Sequence, residues 1–327
     1  MTSEVTPDAV PEEGPAASAR LLAVPDDVAG QRIDNFLLTQ LKGAPRTLVY
    51  RILRTGEVRV NKGRIKPDYR LQVGDVVRVP PLRLSEAKEA AERPAQGIVR
   101  QLGERIVYEK DGLLVLNKPA GLAVHGGSGV AWGVIEALRL LRPEAPFLEL
   151  VHRLDRDTSG LLMIATKRSV LRELHELLRQ GRMEKTYVAL LAGRLKGAEH
   201  QVTARLDKTS LPNGERIVRV SREGKEALTD FKVIDRIGDT TLVEARPKTG
   251  RTHQIRVHAQ YLGHPLVGDE KYGNDAINKG MRQYGATRLF LHARELKLRT
   301  SGMTKDLIVQ CPLEPELEAV LEKLRHA

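Results

Sequence analysis

The chain has 327 residues, 41% hydrophobic and 29% charged, with a net charge of +11 and pI ≈ 9.7. That length allows two domains, each with its own core, and the basic balance favours a polyanionic partner over an acidic or membrane-buried role. No apolar run approaches the ~18 residues of a membrane span, the start lacks a basic-then-apolar leader pattern, and Cys311 stands alone. No membrane association, internal disulfide or thiolate metal cluster is therefore expected, and the expected compartment is the cytoplasm.

Residues 1–18 are rich in Pro, Ala, Ser and Glu and are read as a disordered tail. From Gly30 the pattern turns helical, with Ile33, Phe36, Leu37 and Leu41 on one face and Pro45 as a stop. A second short helix carries Leu48, Ile52 and Leu53. Glu57–Val60 then enters an Asn/Gly turn as a hairpin, and Val76–Val79 closes as a strand. Residues 21–85 hold twelve Lys or Arg against six Asp or Glu. This order of elements, with Gln31-Arg32-Ile33-Asp34-Asn35-Phe36-Leu37 and Arg54-Thr55-Gly56-Glu57-Val58-Arg59-Val60-Asn61, resembles the S4 RNA-binding domain. The resemblance implies phosphate contacts from Arg46, Arg51, Arg59, Lys62, Arg64 and Lys66, which would set affinity without sequence preference.

The domain reading is therefore a tail over 1–18, an S4-like domain over 19–81, a linker over 82–98 and a larger domain over 99–327. In the larger domain, strands are expected at Leu113–Asn117, Glu184–Leu190, Leu228–Ile234, Thr241–Ala245, Leu289–Leu296 and Leu307–Gln310. Helices are expected at Val134–Leu141, Ser169–Arg179 and Leu317–Leu324. Strands and helices that do not alternate regularly give an α+β class, with a mixed, largely antiparallel sheet flanked by helices. The glycine-rich stretch Gly126-Gly127-Ser128-Gly129 has neither P-loop nor GxGxxG spacing, so no nucleotide site is expected.

Three words carry the chemistry. His152-Arg153-Leu154-Asp155 lies between the apolar runs Phe147–Val151 and Leu161–Ala165, which reads as strand, tight loop, strand with Asp155 in the loop. Lys185-Thr186-Tyr187 falls on a strand, and Thr249-Gly250-Arg251-Thr252-His253-Gln254-Ile255-Arg256-Val257-His258 follows later. Each has a plain structural reading: a surface ion pair for Asp155, core packing for Tyr187, a turn cap for Arg251. His253 and His258 are five apart and lack Glu or Cys companions, so no metal site is expected. A glycoside hydrolase using Asp155 and Asp157 is disfavoured by 4% aromatic content and one Trp. A non-catalytic RNA-binding ribosome assembly factor would need only the small domain and the basic surface.

Taken together, the words resemble the motifs of the RluA-type pseudouridine synthases over about residues 20–325. Val60–Pro67 and Gly126–Gly129 draw the resemblance towards members that act on large-subunit ribosomal RNA. It implies isomerisation of uridine to pseudouridine in 23S ribosomal RNA, at more than one uridine, by a monomer without cofactor. Asp155 would be the catalytic carboxylate, Arg251 its ion-pair partner, and Tyr187 the aromatic face for a flipped uracil. His152, Arg153, Leu154 and His253, from the same words, would support the site.

Overall fold

The structure, a computed structural model, describes residues 19–41, 44, 46–82, 93–127, 130–210, 216–299 and 306–327. The tail over 1–18, Pro45, most of the expected linker, Ser128-Gly129 and the side chain of Arg46 lie outside the described residues. The chain divides into two compact units, Met1–Arg93 and Pro94–Ala327.

In the first unit, strand β1 (Arg20–Ala23) leads through a short 3-10 turn to helices α1 (Ile33–Gln40) and α2 (Arg46–Arg54). Strands β2 (Arg59–Val60), β3 (Gly63–Arg64) and β4 (Val76–Val79) complete it, in the antiparallel order β1-β4-β2-β3. Ile33, Phe36 and Leu37 on α1 and Val49, Ile52 and Leu53 on α2 repeat at i, i+3, i+4. All six are buried with Val58 and Val77 in one core. The β2–β3 turn is two residues, Asn61 and Lys62, both at positive φ (48° and 68°). Asn61 is held there because Nδ2 donates to Asp75 Oδ1 (2.8 Å) and Oδ1 accepts from the Val76 N–H (2.9 Å). Lys62 is thereby presented to solvent at the hairpin tip.

The second unit opens with helix α3 (Gln96–Glu104), whose first turn occupies residues read from sequence as the end of the linker. Strands β5 (Ile106–Lys110) and β6 (Leu113–Lys118), helix α4 (Val134–Leu141), strands β7 (Glu149–Leu150) and β8 (Ser159–Ala165), helix α5 (Arg168–Arg179) and strand β9 (Met183–Ala192) follow. Strands β10 (Glu199–Thr203), β11 (Leu206–Ser210), β12 (Arg216–Val220), β13 (Leu228–Ile237) and β14 (Thr240–Pro247) come next. Helices α6 (Gln254–Tyr261) and α7 (Asp275–Met281), strands β15 (Leu291–Leu298) and β16 (Leu307–Gln310) and helix α8 (Pro315–Arg325) finish the chain. Ten strands form one sheet of order β10-β13-β14-β9-β15-β8-β6-β5, with β16 beside β15 and β7 beside β8, while β11 and β12 pair separately. Every pairing is antiparallel except β15 with β8, as expected for a mixed, largely antiparallel sheet.

Alternation along the central strands sends apolar side chains to both faces. Leu114, Leu116, Leu162, Ile164, Tyr187 and Ala189 join Val134, Leu138 and Leu102 on one side. Leu113, Val115, Leu161 and Met163 meet Leu174 and Leu177 of α5 on the other. Further along, Val188 and Leu190 of β9 pack on Leu317, Val320 and Leu321 of α8. A sheet covered on both faces has near-continuous apolar strands, which is why β6, β8 and β9 are legible in sequence.

Strands β8 and β15 touch over only two residue pairs, His292 with Ser159 and Ala293 with Gly160. Gly160 has φ +105°, and a Cβ there would overlap the Ala293 carbonyl. Gly160→Ala should cost about 3 kcal/mol or more, since it adds both backbone strain and overlap in a packed sheet. Chemical denaturation measures this, and a loss below about 0.5 kcal/mol would show that the junction is not tightly set.

Candidate active site

Asp155 sits in the loop between β7 and β8, where its carbonyl accepts from the Thr158 N–H (3.2 Å). Four anchors hold this loop. Leu154 is buried in the main core at 5% exposure. His152 Nε2 accepts the Met163 N–H of β8 (3.1 Å), so its ring is neutral, and burial with the nearby Lys185 charge pushes its pKa down to about 3. Ser159 Oγ meets His292 Nδ1 (2.9 Å) and accepts from Arg288 Nη2 (3.2 Å).

The fourth anchor is Lys118, fully buried at the end of β6, whose Nζ donates to the carbonyls of Pro119 (2.8 Å), Leu122 (2.8 Å) and Arg156 (2.9 Å). It stitches the Asp155 loop to the turn after β6. Burial lowers the lysine pKa to about 7, opposed by the charges of Asp157 and Asp155. The three carbonyls also favour the ammonium form.

Asp155 itself faces cationic and polar groups from the start of α6. Arg256 Nη1 lies 3.5 Å from Asp155 Oδ2, and His253 Nε2 lies 3.9 Å from Oδ1. Arg256 is in turn braced by Asp269, with Nε to Oδ2 and Nη2 to Oδ1 both 2.8 Å. This is a bidentate fork on a carboxylate with no exposed side-chain surface. Burial would raise the Asp269 pKa, but Arg256 and the N–H groups of Tyr272 and Lys271 outweigh it and hold the carboxyl below its ordinary range. Arg256 also lies 5.0 Å over the Tyr272 ring. Tyr187, buried on β9, has its phenol pKa raised by burial and by the Asp155 charge, which puts its hydroxyl in the field of that carboxylate.

The ion pair expected between Asp155 and Arg251 is made instead by Arg256. Arg251 precedes α6 and is exposed, and its Nε donates to the Glu226 carbonyl (3.0 Å). Arg256 is one helical turn into α6, where its side chain turns inward beside His253. The word Thr249–His258 is built as the entry to that helix. Gln254, 4% exposed, accepts from the Thr249 hydroxyl (2.6 Å) and the Arg251 N–H (3.0 Å), and donates to the Leu228 carbonyl (2.9 Å).

Arg153 lies in the same loop and is exposed. Asp157 is tied to Arg156 Nε (3.0 Å), which leaves it poorly placed as a second catalytic carboxylate. Arg51, Arg59, Lys62, Arg64 and Lys66 are all exposed in the first unit. Arg59 Nη1 donates to the Lys62 carbonyl and Arg64 Nη2 to that of Thr55, so the two guanidiniums are fixed near the hairpin. Among the described residues no three His, Cys, Asp or Glu side chains cluster as metal ligands.

Sequence reasoning missed Arg256, Asp269, Tyr272 and Lys118 as parts of this site. Arg256 carried a signal, since it lies three residues beyond His253 and so shares its face of a helix. Asp269 and Tyr272 arrive from a segment with no motif.

A family model described as RNA pseudouridylate synthase matches residues 112–261, and one described as S4 domain matches residues 31–77. The chain is 54% identical over 309 residues to "Ribosomal large subunit pseudouridine synthase C" of Pasteurella multocida, covering 94% of this chain and 95% of that protein. It is also 54% identical over 312 residues to the protein of the same name from Escherichia coli K12, covering 95% and 98%. Among solved structures, "Human RNA Pseudouridylate Synthase Domain Containing 4" aligns with a TM-score of 0.58 at 28% identity, covering 70% of this chain and 96% of that one. With relatives this similar matched almost end to end, the chain belongs to the RNA pseudouridylate synthase family and carries an S4 domain ahead of its catalytic domain.

Proposed function

We propose that this protein converts uridine to pseudouridine at specific positions, more than one, of 23S ribosomal RNA in the cytoplasm, with Asp155 as the catalytic carboxylate. The observation that carries this reading is the position of Asp155 on an anchored loop, 3.5 Å from the guanidinium of the Arg256–Asp269 pair. The similarity to relatives named for the large ribosomal subunit supports the substrate class.

The reaction breaks the N1–C1′ bond, turns the uracil and joins its C5 to C1′. A proton leaves C5 and one is gained at N1, so the product is an isomer and no electrons are exchanged. Breaking the glycosidic bond leaves positive charge at C1′ and negative charge on the uracil. A fixed carboxylate stabilises the first, and a neighbouring guanidinium holds that carboxylate in place. Arg256 fills this role. Arg251, fixed outside the helix by the Glu226 carbonyl, is suited to a phosphate of the bound RNA. Tyr187 offers an aromatic face to the extruded base, which offsets part of the unstacking cost.

In the S4 domain, Arg51, Arg59, Lys62, Arg64 and Lys66 supply exposed positive charge for the backbone. Replacing Arg59, Lys62 and Arg64 with Gln should lower the slope of log K against log salt by about 2 to 3 for a 23S fragment. An unchanged slope would remove these residues from the interface.

Asp155→Asn tests the chemistry. In a 23S fragment carrying tritium at uridine C5, wild-type protein should release tritium over many turnovers, and the variant should lose at least about 10³-fold in rate with RNA affinity kept. Turnover near the wild-type level would overturn Asp155 as the catalytic group. Binding without any tritium release from wild-type protein would favour an RNA-binding assembly factor.

A further inference from the structure

We infer that His253 is a positioning residue for Asp155, locked by Tyr272 into the form that carries its proton on Nε2, facing the carboxylate. The inference rests on the reading of Asp155 as the catalytic group.

The hydrogen-bond chain dictates the tautomer. Tyr272 Oη accepts from the Val218 N–H (3.0 Å) and lies 2.7 Å from His253 Nδ1. Tyr272 is 2% exposed, and among the described residues its hydroxyl proton reaches no acceptor but Nδ1. If Nδ1 carried the proton instead, the phenol proton would be buried without a partner. Nδ1 is therefore the acceptor, the proton resides on Nε2, and Nε2 is the atom 3.9 Å from Asp155 Oδ1. The ring meets that of Tyr272 edge-on, with centroids 5.4 Å apart at 67°.

The backbone is arranged for this contact. His253 caps α6 at φ 53°, ψ 21°, a left-handed conformation uncommon away from glycine, and strain of this kind gathers at functional sites. Val218 is fixed in turn, since it packs with Val257 and Tyr272 in a small core under the β11–β12 hairpin.

A carboxylate needs two such contacts. The terminal torsion of Asp is broad, so one partner leaves the carboxylate plane free to rotate. Arg256 stands 3.5 Å from Oδ2 and His253 3.9 Å from Oδ1, so each oxygen has one of them facing it. A neutral donor suits this task, because it orients the carboxylate without neutralising it. The charged or titratable groups around the ring are Asp155, Arg256, Asp269, Lys271 and Tyr272. Burial, with Arg256 and Lys271, lowers the His253 pKa against the opposing pull of Asp155 and Asp269, so the ring is neutral at pH 7. At 3.9 Å the contact is longer than a hydrogen bond, and active-site contacts of this kind shorten when substrate binds.

The test uses the full-length protein, single turnover at saturating 23S fragment, RNA affinity, and the ¹⁵N spectrum of histidine-labelled protein. Tyr272→Phe should slow the single-turnover rate about ten-fold with RNA affinity within about two-fold, because only the orientation of the reacting group changes. Its His253 ¹⁵N signals should move from an Nε2-protonated pattern towards a mixture. His253→Phe should lose about a hundred-fold, and His253→Gln should recover part of it, since its amide N–H can stand in for Nε2–H.

Wild-type rates in both Phe variants, a loss confined to RNA affinity, or an Nδ1-protonated His253 in the wild type would each overturn the inference. The wild-type spectrum decides even where a variant fails to fold. Asp155→Asn run in parallel separates the two ideas. If it is active, the reading of Asp155 fails. If it is inert while both Phe variants are unaffected, only the role of His253 fails.

Discussion

The site depends on one buried guanidinium shared by two carboxylates. Arg256 has 9% of its side chain exposed and Asp269 none, so the pair is held out of water and each charge relies on the other. Such a pair adds little net stability, but removing one partner of it strands the other and typically costs about 3–5 kcal/mol. That makes it a rigid reference point. Asp155, with 23% of its side chain exposed, is offered to the third face of the same guanidinium at 3.5 Å. The fork that binds Asp269 takes Nε and one side of Nη2, and Nη1 is the nitrogen that faces Asp155.

Around this reference the fold supplies stiffness. The Asp155 loop leaves β7, re-enters β8 and is tied to the end of β6 by Lys118, whose ammonium bonds the Arg156 carbonyl in the loop and two carbonyls in the turn after β6. A lysine buried with no carboxylate at ion-pair distance among the described residues is costly, and its place under the loop exchanges stability for precision in the position of Asp155. The exposed arginines and lysines of the small unit can bind a phosphate backbone without demanding exact geometry, which the chemistry does demand. A basic surface and a site built on a buried ion pair answer to different physics, and the chain places them in separate units.

Much of this was legible in the sequence. The alternating or continuous apolar strands β6, β8, β9, β13 and β14, the helices α1, α2, α4, α5 and α8, and the loop around Asp155 all follow from hydrophobic period and turn residues. What was lost shares a cause. Helix α6 is buried on most sides, Gln254, Arg256 and His258 along with Ile255, Val257 and Ala259, so its polar residues interrupt the apolar stripe that would mark it. Edge strand β10 and the β11–β12 hairpin are short and rich in polar residues, and they carry too few apolar positions to register. The same burial of polar groups explains the exchange of Arg251 for Arg256. A motif shows two arginines five apart, and only the position of the helix start decides which one turns inward. Asp269 and Tyr272 come from a segment whose role is set by three-dimensional neighbours alone.

The central claim is that Arg256, braced by Asp269, addresses Asp155, whereas Arg251 does not. The most direct measurement compares Arg256→Lys with Arg251→Lys in single-turnover tritium release at saturating 23S fragment, alongside RNA affinity. Lysine keeps the charge but cannot hold Asp269 and Asp155 through one planar fork. The account predicts a fall of roughly a hundred-fold or more in rate for Arg256→Lys with affinity nearly kept, and a change within about three-fold in rate for Arg251→Lys. A large loss of rate in Arg251→Lys with Arg256→Lys near the wild type would contradict it.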